Sequence, residues 1–227
     1  MAIQSTKKGI EKIIEILLYG IAFAIPIHEL TAHVLILSAT ALSFVHTALP
    51  GEIRWRKSPL QWPVLLFIFS GLLSIWNAPD KAYSIYNYGA TVIPYGMVYF
   101  LIVGFIHGER QRRNLMYIFL AGALCVACYG FYQYSHLTDI SAFDWVDEEK
   151  FPLLKRRMYS TLHNPNLFAA YLLMIIGFVS AFVVGTRHSS HRYLFGALLI
   201  IFLICLALTY SRGAWISVLV MIAYYGF

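Results

Sequence analysis

Residues 164–185 read NPNLFAAYLLMIIGFVSAFVVG, and this stretch decides the fold class of the chain. Between Leu167 and Gly185 it carries no charged side chain. As a helix this part covers about 28 Å, close to the roughly 30 Å of a bilayer's hydrocarbon core. Asn164 suits an N-cap and Pro165 suits the first helical position, where the missing N–H costs nothing. The sequence therefore predicts a membrane-spanning helix that starts at these two residues.

Apolar runs of similar length recur along the chain. They lie at Leu30–Leu49, Leu60–Ala78, Tyr88–Ile106, Leu115–Tyr134 and Tyr193–Tyr210, and each is long enough to span a bilayer. Ile13–Ile27 is interpreted as a first span that forms a tight helical hairpin with the next run. The last run, Ala214–Phe227, covers only about 21 Å as a helix, which predicts a truncated eighth span.

These runs predict an all-α fold, a polytopic transmembrane helical bundle of seven spans plus a truncated eighth. We expect residues 1–227 to form a single transmembrane domain, the N-terminal part of a longer protein, with an extracytoplasmic loop over 135–166. Hydrophobic residues make up 59% and charged residues 12% of the chain, and the mean hydropathy is +0.67, a composition typical of membrane proteins. The net charge of +6 does not indicate nucleic-acid binding, because the basic residues stand in short clusters between apolar runs.

The basic residues predict an orientation. They concentrate before the first span and in alternate connections, as in Arg54, Arg56 and Lys57 of the second and Arg110, Arg112 and Arg113 of the fourth. The positive-inside rule then places the N-terminus and the even-numbered connections in the cytoplasm. The fifth connection breaks the rule, since Lys155, Arg156 and Arg157 stand together on the outer side. Cations in that position predict an anionic ligand there.

Two helix starts are candidates for this anion site. One follows Arg157 at Asn164, and the other lies at Ser211, Arg212 and Gly213, before the last apolar run. A helix N-terminus presents unpaired N–H groups and the positive end of a dipole. Arginine rather than lysine at both points favours bidentate recognition of phosphate oxygens. The preferred ligand is therefore a diphosphate.

Neither a metal nor a cofactor is expected. His28 and His33 are five residues apart and diverge by about 140° on a helix, so they cannot share a metal there. Cys125, Cys128 and Cys205 lie inside apolar runs, where their spacing indicates no disulfide framework.

Two segments resemble motifs of the O-antigen ligase and polymerase superfamily of polytopic bacterial membrane glycosyltransferases, which have a C-type glycosyltransferase-like fold. Arg157–Tyr171 is similar to the family's pattern of an arginine, a small residue with threonine, Asn-Pro-Asn and Phe-Ala-Ala-Tyr. Tyr210–Trp215 is similar to its Ser-Arg-Gly-Ala-Trp motif. Ser160 stands where the family often has glycine.

The resemblance implies transfer of a glycan from undecaprenyl diphosphate to an acceptor hydroxyl at the periplasmic face of the bacterial inner membrane. The acceptor is lipid A core in O-antigen ligation, the leading interpretation, or another glycan in polymerisation. Arg157 and Arg212 would hold the diphosphate and stabilise its charge as it leaves. The residues expected to bind substrate beside them are Arg156, Ser160, Asn164, Asn166 and Ser211. The family's histidine base lies in a large periplasmic loop that this sequence does not contain.

Two other classes of function remain open. A polysaccharide flippase or transporter also needs basic residues near lipid diphosphates, but it should place ionisable residues near the midplane of its spans, and none clearly lies there after Glu15. The other possibility is an inactive fragment with a structural role or none.

Overall fold

The computed structural model describes residues 2–50, 58–136, 157–186 and 189–225, and within these ranges every regular element is a helix. The α-helices are α1 (Ala2–Ala24), α2 (Glu29–Ala48), α3 (Gln61–Trp76), α4 (Lys81–Asn87), α5 (Ile93–Phe105), α6 (Glu109–Ser135), α7 (Pro165–Gly185), α8 (Ser189–Leu208) and α9 (Arg212–Tyr225). A π-helical segment, Tyr88–Val92, joins α4 to α5, and a 3-10 turn, Ser160–Leu162, precedes α7.

Within the described residues, five stretches of helix are long and apolar enough to cross a membrane: Glu29–Ala48, Lys81–Phe105, Glu109–Ser135, Pro165–Gly185 and Ser190–Leu208. The chain is accordingly a multi-pass membrane protein whose described part is helical. The predicted count of seven spans is not confirmed. Helices α3 and α9 are apolar but shorter, and the first part of α1 carries Lys7, Lys8, Glu11, Lys12 and Glu15.

The chain divides into two compact units, Met1–Phe119 and Leu120–Phe227, with the boundary inside α6. The prediction of a single transmembrane domain therefore stays a prediction. In the first unit α1 and α2 pack against each other and against α5. Only residues 25–28 separate α1 from α2, so the predicted helical hairpin is confirmed. The buried core of this unit consists of Ile14, Leu18, Ile21, Ile36, Ala39, Leu101 and Ile106.

The helix predicted to begin at Tyr88 begins seven residues earlier, at Lys81. Asp80 caps it, since its carboxylate Oδ1 accepts a hydrogen bond of 3.0 Å from the N–H of Tyr83. Asp80 and Lys81 are polar and lie outside the apolar run, so hydropathy alone does not predict this first part of the helix. A short polar cap followed by a mostly apolar helix is an N-terminal signature that could have found it.

The π-helical segment and Pro94 create a backbone defect in this helix. In an α-helix the carbonyl of Ala90 would accept from the N–H of residue 94, and proline has none. The structure fills the gap from α2: Nε2 of His33 donates to the Ala90 carbonyl at 2.6 Å. His33 thus completes the hydrogen bonding of a neighbouring helix, which matters because an unpaired carbonyl in a lipid environment costs several kcal/mol.

We predict that His33→Ala lowers the free energy of unfolding by about 1 kcal/mol, because it removes the hydrogen bond that Nε2 donates to the Ala90 carbonyl next to Pro94. Adding Pro94→Ala should recover part of that loss, since alanine supplies an N–H. The measurement is a double-mutant cycle from unfolding in detergent. His28→Ala is the control, because His28 caps α2 at its exposed end and should show no coupling to Pro94. Additive effects of the His33 and Pro94 changes would contradict this account.

The second unit contains the C-terminal half of α6 with α7, α8 and α9. Helix α7 forms the centre of its core, with Phe168, Leu172, Ile175, Ile176 and Val179 almost fully buried. Helix α8 packs along α7, where the rings of Phe182 and Phe195 stack at 4.9 Å. Helix α9 also packs on α7. The segments that resemble the family motifs lead into α7 and α9. The packing of these two helices in the core of this unit therefore determines where the segments lie.

Candidate functional site

The segment before α7 is held against α6 by one buried amide. Gln133, 5% exposed, accepts hydrogen bonds at Oε1 from the N–H groups of Tyr159 (3.2 Å) and Ser160 (3.4 Å). Its Nε2 donates to the carbonyl of Arg157 at 3.5 Å. One side chain therefore satisfies three backbone groups of a non-helical segment. This replaces the pairing that a helix would supply within its own backbone.

Ser160 is fully buried, and its hydroxyl donates to the carbonyl of Val126 in α6 at 2.6 Å. The segment approaches α6 closely because Gly130 has no side chain: a Cβ there would lie 3.0 Å from the sulfur of Met158 and 3.4 Å from Cβ of Ser160. The side chain of Ser160 thus fixes the loop to α6. Its predicted role in substrate binding stays a prediction.

Three non-glycine residues of the described chain have positive φ, and all three lie in this region. Ser160 and His163 have φ of 52° and 53° before α7, and Tyr210 has 53° before α9. Such left-handed conformations cost about 1–3 kcal/mol each and cluster at functional sites. At position 160 glycine would adopt the positive φ without this penalty.

Asn164 caps α7 as predicted, and Pro165 is its first residue. Oδ1 of Asn164 accepts from the N–H groups of Asn166 (2.8 Å) and Leu167 (3.3 Å), and its carbonyl accepts from Phe168 at 2.9 Å. The expectation that this helix start presents unpaired N–H groups is therefore wrong. Helix α7 contributes the positive end of its dipole instead.

Arg157 joins the two predicted motifs. Its Nε donates to the carbonyl of Thr209 at 2.8 Å, in the turn before α9, and its Nη2 donates to Oδ1 of Asn166 at 3.1 Å, in the first turn of α7. The N–H of Met158 reinforces this link by donating to the carbonyl of Leu208 at 2.9 Å. The guanidinium consequently lies between the starts of two helices.

Burial lowers the pKa of the Arg157 guanidinium from its ordinary value. Arginine nevertheless keeps its charge, because its ordinary pKa is far above neutral pH. A partly desolvated cation interacts with a nearby anion more strongly than the same cation in water, because the effective dielectric constant is lower. The geometry and the electrostatics at Arg157 are therefore both suited to an anionic group.

The start of α9 differs from that of α7 because its first N–H groups are open. In the described part of the chain no group accepts from the N–H of Arg212, Gly213 or Ala214, and the first bonded one is Trp215, which donates to the Ser211 carbonyl at 3.2 Å. Arg212 is exposed. A Cβ added at Gly213 would meet no atom within 4 Å. An anion can thus approach the backbone at Arg212 and Gly213, whereas Ala214 is buried.

The structure brings most of the predicted site residues together. Arg157, Asn166 and the turn that precedes Arg212 are linked by the bonds of Arg157, and Asn164 caps the adjacent helix. The N–H of Ser211 donates to Oγ1 of the buried Thr209 at 3.3 Å. Arg156 and residues 137–156 of the predicted 135–166 loop lie outside the described residues.

Sequence reasoning missed Gln133 and Thr209. Gln133 stands in the apolar run Leu115–Tyr134, and a polar amide near the end of a span is a signal of a functional or structural contact. Thr209 gave no such signal, because it acts through its backbone carbonyl and through a hydroxyl that donates to Leu206 within its own turn at 2.7 Å.

The two histidines considered for metal binding have other contacts. His28 caps α2 through Nδ1, and both ring nitrogens of His33 face backbone carbonyls, those of Glu29 and Ala90. In the ranges that the structure describes, no group of three or more His, Cys, Asp or Glu side chains is arranged to hold a metal ion.

Comparisons of the chain with protein families, with curated proteins and with solved structures gave no match. The likeness of Arg157–Tyr171 and Tyr210–Trp215 to the O-antigen ligase and polymerase motifs therefore stays a prediction. What the structure adds is that these two segments are neighbours in space.

We predict that Ser160→Gly is more stable than Ser160→Ala by about 1 kcal/mol, because both lose the hydroxyl bond but only glycine relieves the positive φ. Ser180, in the middle of α7, is the matched control, since glycine in a helix is about 1 kcal/mol less stable than alanine. The order of the two variants should therefore reverse between the sites in chemical unfolding. The same order at both positions would contradict a left-handed Ser160.

Proposed function

We propose that this chain binds the diphosphate of an undecaprenyl-diphosphate-linked glycan and takes part in transferring that glycan to an acceptor hydroxyl, as an O-antigen ligase does. The observation that carries the proposal is the position of Arg157, hydrogen-bonded to both Thr209 and Asn166 and therefore next to the open start of α9. The likeness to the ligase motifs supplies the identity of the ligand. The lipid A core is the leading acceptor.

Three features of this site are complementary to the negative charge of a diphosphate. Arg157 and Arg212 provide guanidinium groups, the N–H groups at the start of α9 provide backbone donors, and α7 and α9 both direct the positive ends of their dipoles here. Charge develops on the diphosphate as the bond to the sugar breaks, and donors already in place stabilise that charge without reorganisation. The arginines act electrostatically, and neither transfers a proton.

Two hydrogen bonds already hold the Arg157 side chain, and this lowers the entropy cost of binding a ligand. A flexible arginine loses side-chain entropy on binding a ligand, about 0.5–1.5 kcal/mol for a long side chain. Here the bonds to Thr209 and Asn166 have already ordered the side chain. This preorganisation favours a role in the transition state, where small displacements of a charged group are costly.

We predict that Arg157→Lys and Arg212→Lys each weaken binding of the undecaprenyl-diphosphate glycan by about tenfold to a hundredfold, because a lysine keeps the charge but loses a charged hydrogen bond of about 1.5–3 kcal/mol. Binding is measured on the purified chain in nanodiscs at one salt concentration. Membrane insertion and unfolding should change little for Arg212→Lys, since Arg212 is exposed.

Asn166→Ala measures how much binding depends on the acceptor of Nη2. It keeps the guanidinium and its bond to Thr209, so it should weaken binding less than Arg157→Lys. Equal losses in the two variants would show that Arg157 acts only through the geometry of the loop. Undiminished binding in both lysine variants would reject the diphosphate site.

We further predict that Gly213→Leu weakens glycan binding by about tenfold or more, because a side chain there blocks approach to the N–H groups of α9. The fold should tolerate it, since no atom lies within 4 Å of the added Cβ and leucine favours a helix by about 1 kcal/mol over glycine. Gly196→Leu, in α8 with equally open surroundings, is the matched control and should leave binding unchanged. Equal binding by both variants would contradict a ligand at this helix start.

The acceptor distinguishes ligation from polymerisation. Supplying purified lipid A core as the acceptor supports the ligase assignment if glycan is joined to it, and a second lipid-linked glycan as the acceptor supports a polymerase. Movement of the labelled donor across a vesicle membrane without a change in its covalent structure would favour the transporter instead.

A further inference from the structure

Three aromatic side chains form an exposed surface on the last two turns of α6. Tyr129 is 47% and Tyr132 is 57% exposed, and His136 is exposed as well. The ring centroids of Tyr129 and Tyr132 are 6.2 Å apart, those of Tyr132 and His136 are 4.2 Å apart, and both pairs of ring planes are inclined by 31°. These three residues, here called the aromatic stripe, follow one face of the helix for about 10 Å.

The aromatic stripe has polar atoms at its rim that can bind a ligand. Nδ1 of His136 lies 2.9 Å from the carbonyl oxygen of Tyr132 and therefore acts as the donor, which leaves Nε2 of the neutral ring as an acceptor. Among the residues that the structure describes, none forms a hydrogen bond with this Nε2 or with the hydroxyls of Tyr129 and Tyr132. The stripe thus combines apolar ring faces with open hydrogen-bonding groups.

The aromatic stripe lies beside the face of α6 that holds the segment before α7. Gln133 forms that contact, since its amide bonds to the carbonyl of Arg157 at 3.5 Å and to the N–H of Tyr159 at 3.2 Å. Around the helix, Tyr129 lies about 40° and His136 about 60° from Gln133. Along the helix, Gln133 falls between these two residues. The backbone of Arg157 is therefore level with the aromatic stripe and adjacent to it.

A sugar is the class of ligand that such a surface suits. One face of a hexose ring carries C–H groups and its edge carries hydroxyls, so the ring can pack flat on an aromatic side chain and form hydrogen bonds at the rim. An acyl chain would leave the polar atoms of the stripe without partners. Tyrosines of an interfacial belt are also exposed, but a belt requires neither contact between successive rings nor a histidine among them.

We propose that the aromatic stripe binds sugar rings of the glycan whose diphosphate lies at Arg157. This inference rests on the proposed function and adds the carbohydrate part of the donor to the same site. Because sugar and diphosphate are covalently linked, binding of the diphosphate raises the effective concentration of the sugars at the adjacent stripe. The stripe is longer than one hexose ring, so it can contact more than the first sugar.

The test measures binding of two lipids to the full chain in nanodiscs: undecaprenyl diphosphate, and the same lipid carrying one O-antigen repeat unit. The wild type should bind the glycan-bearing lipid more tightly. Tyr132→Leu should weaken binding of the glycan-bearing lipid by about threefold to tenfold, because it removes an aromatic contact. It should leave binding of the bare lipid unchanged. Tyr132→Phe keeps the ring and should lose less affinity than Tyr132→Leu.

Tyr193→Leu is the matched control, because Tyr193 is an exposed tyrosine (78%) in the same unit. It lies near the start of α8, whereas Arg157 bonds to Thr209 just beyond the end of α8. The two places are about 24 Å apart along that helix. Tyr193→Leu should therefore leave binding of both lipids unchanged. Unchanged binding of the bare lipid by Tyr132→Leu guards against a general folding defect.

Two results would overturn the inference and leave the diphosphate site intact. One is equal affinity of the wild type for the two lipids. The other is an equal loss of glycan-bearing lipid in Tyr132→Leu and Tyr193→Leu, which would identify the aromatic stripe as part of an interfacial belt.

The soluble oligosaccharide released from the lipid separates this inference from the proposed function. If neither lipid binds, the proposed function fails and the aromatic stripe is judged on the oligosaccharide alone. Weaker binding of the oligosaccharide by Tyr132→Leu than by the wild type supports a sugar site at the stripe, and equal or absent binding overturns it.

Discussion

Hydrogen bonding of the backbone in an apolar environment is the constraint on which the rest of this structure depends. The hydrocarbon core of a bilayer offers neither donors nor acceptors, so each N–H and carbonyl within it must find a partner inside the protein. A helix meets this requirement within itself, and breaks in helices do not. In this chain side chains supply the missing partners at the breaks: His33 at the carbonyl beside Pro94, and Gln133 at the segment before α7.

The same constraint explains how the turns of the candidate site are held in place. Ser160, His163 and Tyr210 have strained left-handed conformations, which persist only where the surroundings determine them. Gln133 and Gly130 fix the first of these turns against α6, and Arg157 ties it to the turn before α9. The cost of the irregular backbone is offset by a site whose cation is already oriented.

The sequence predicted those features that depend on local chemistry. Hydropathy predicted an all-helical membrane protein, and residue preference predicted the N-cap at Asn164 and the start of α7 at Pro165. It did not predict the extension of the fourth apolar helix back to Lys81, because polar first turns escape a search for apolar runs. The prediction that α7 begins with unpaired N–H groups was also wrong, because Oδ1 of the capping Asn164 accepts hydrogen bonds from them. The roles of Gln133 and of the Thr209 carbonyl follow from tertiary contacts, which no local pattern encodes.

The difference between the two helix starts determines how an anion can be held. At α7 the cap satisfies the first N–H groups, so this helix acts through its dipole and through Asn166, which accepts from Arg157. At α9 the first N–H groups are open, and Gly213 leaves room for approach. Arg157 connects the two, because its hydrogen bond to Thr209 makes the position of the cation depend on the turn that exposes those N–H groups. A ligand that moves this turn therefore also moves Arg157, so the two donors act as one unit, and substitutions at Arg157 and in the turn before α9 should be strongly non-additive.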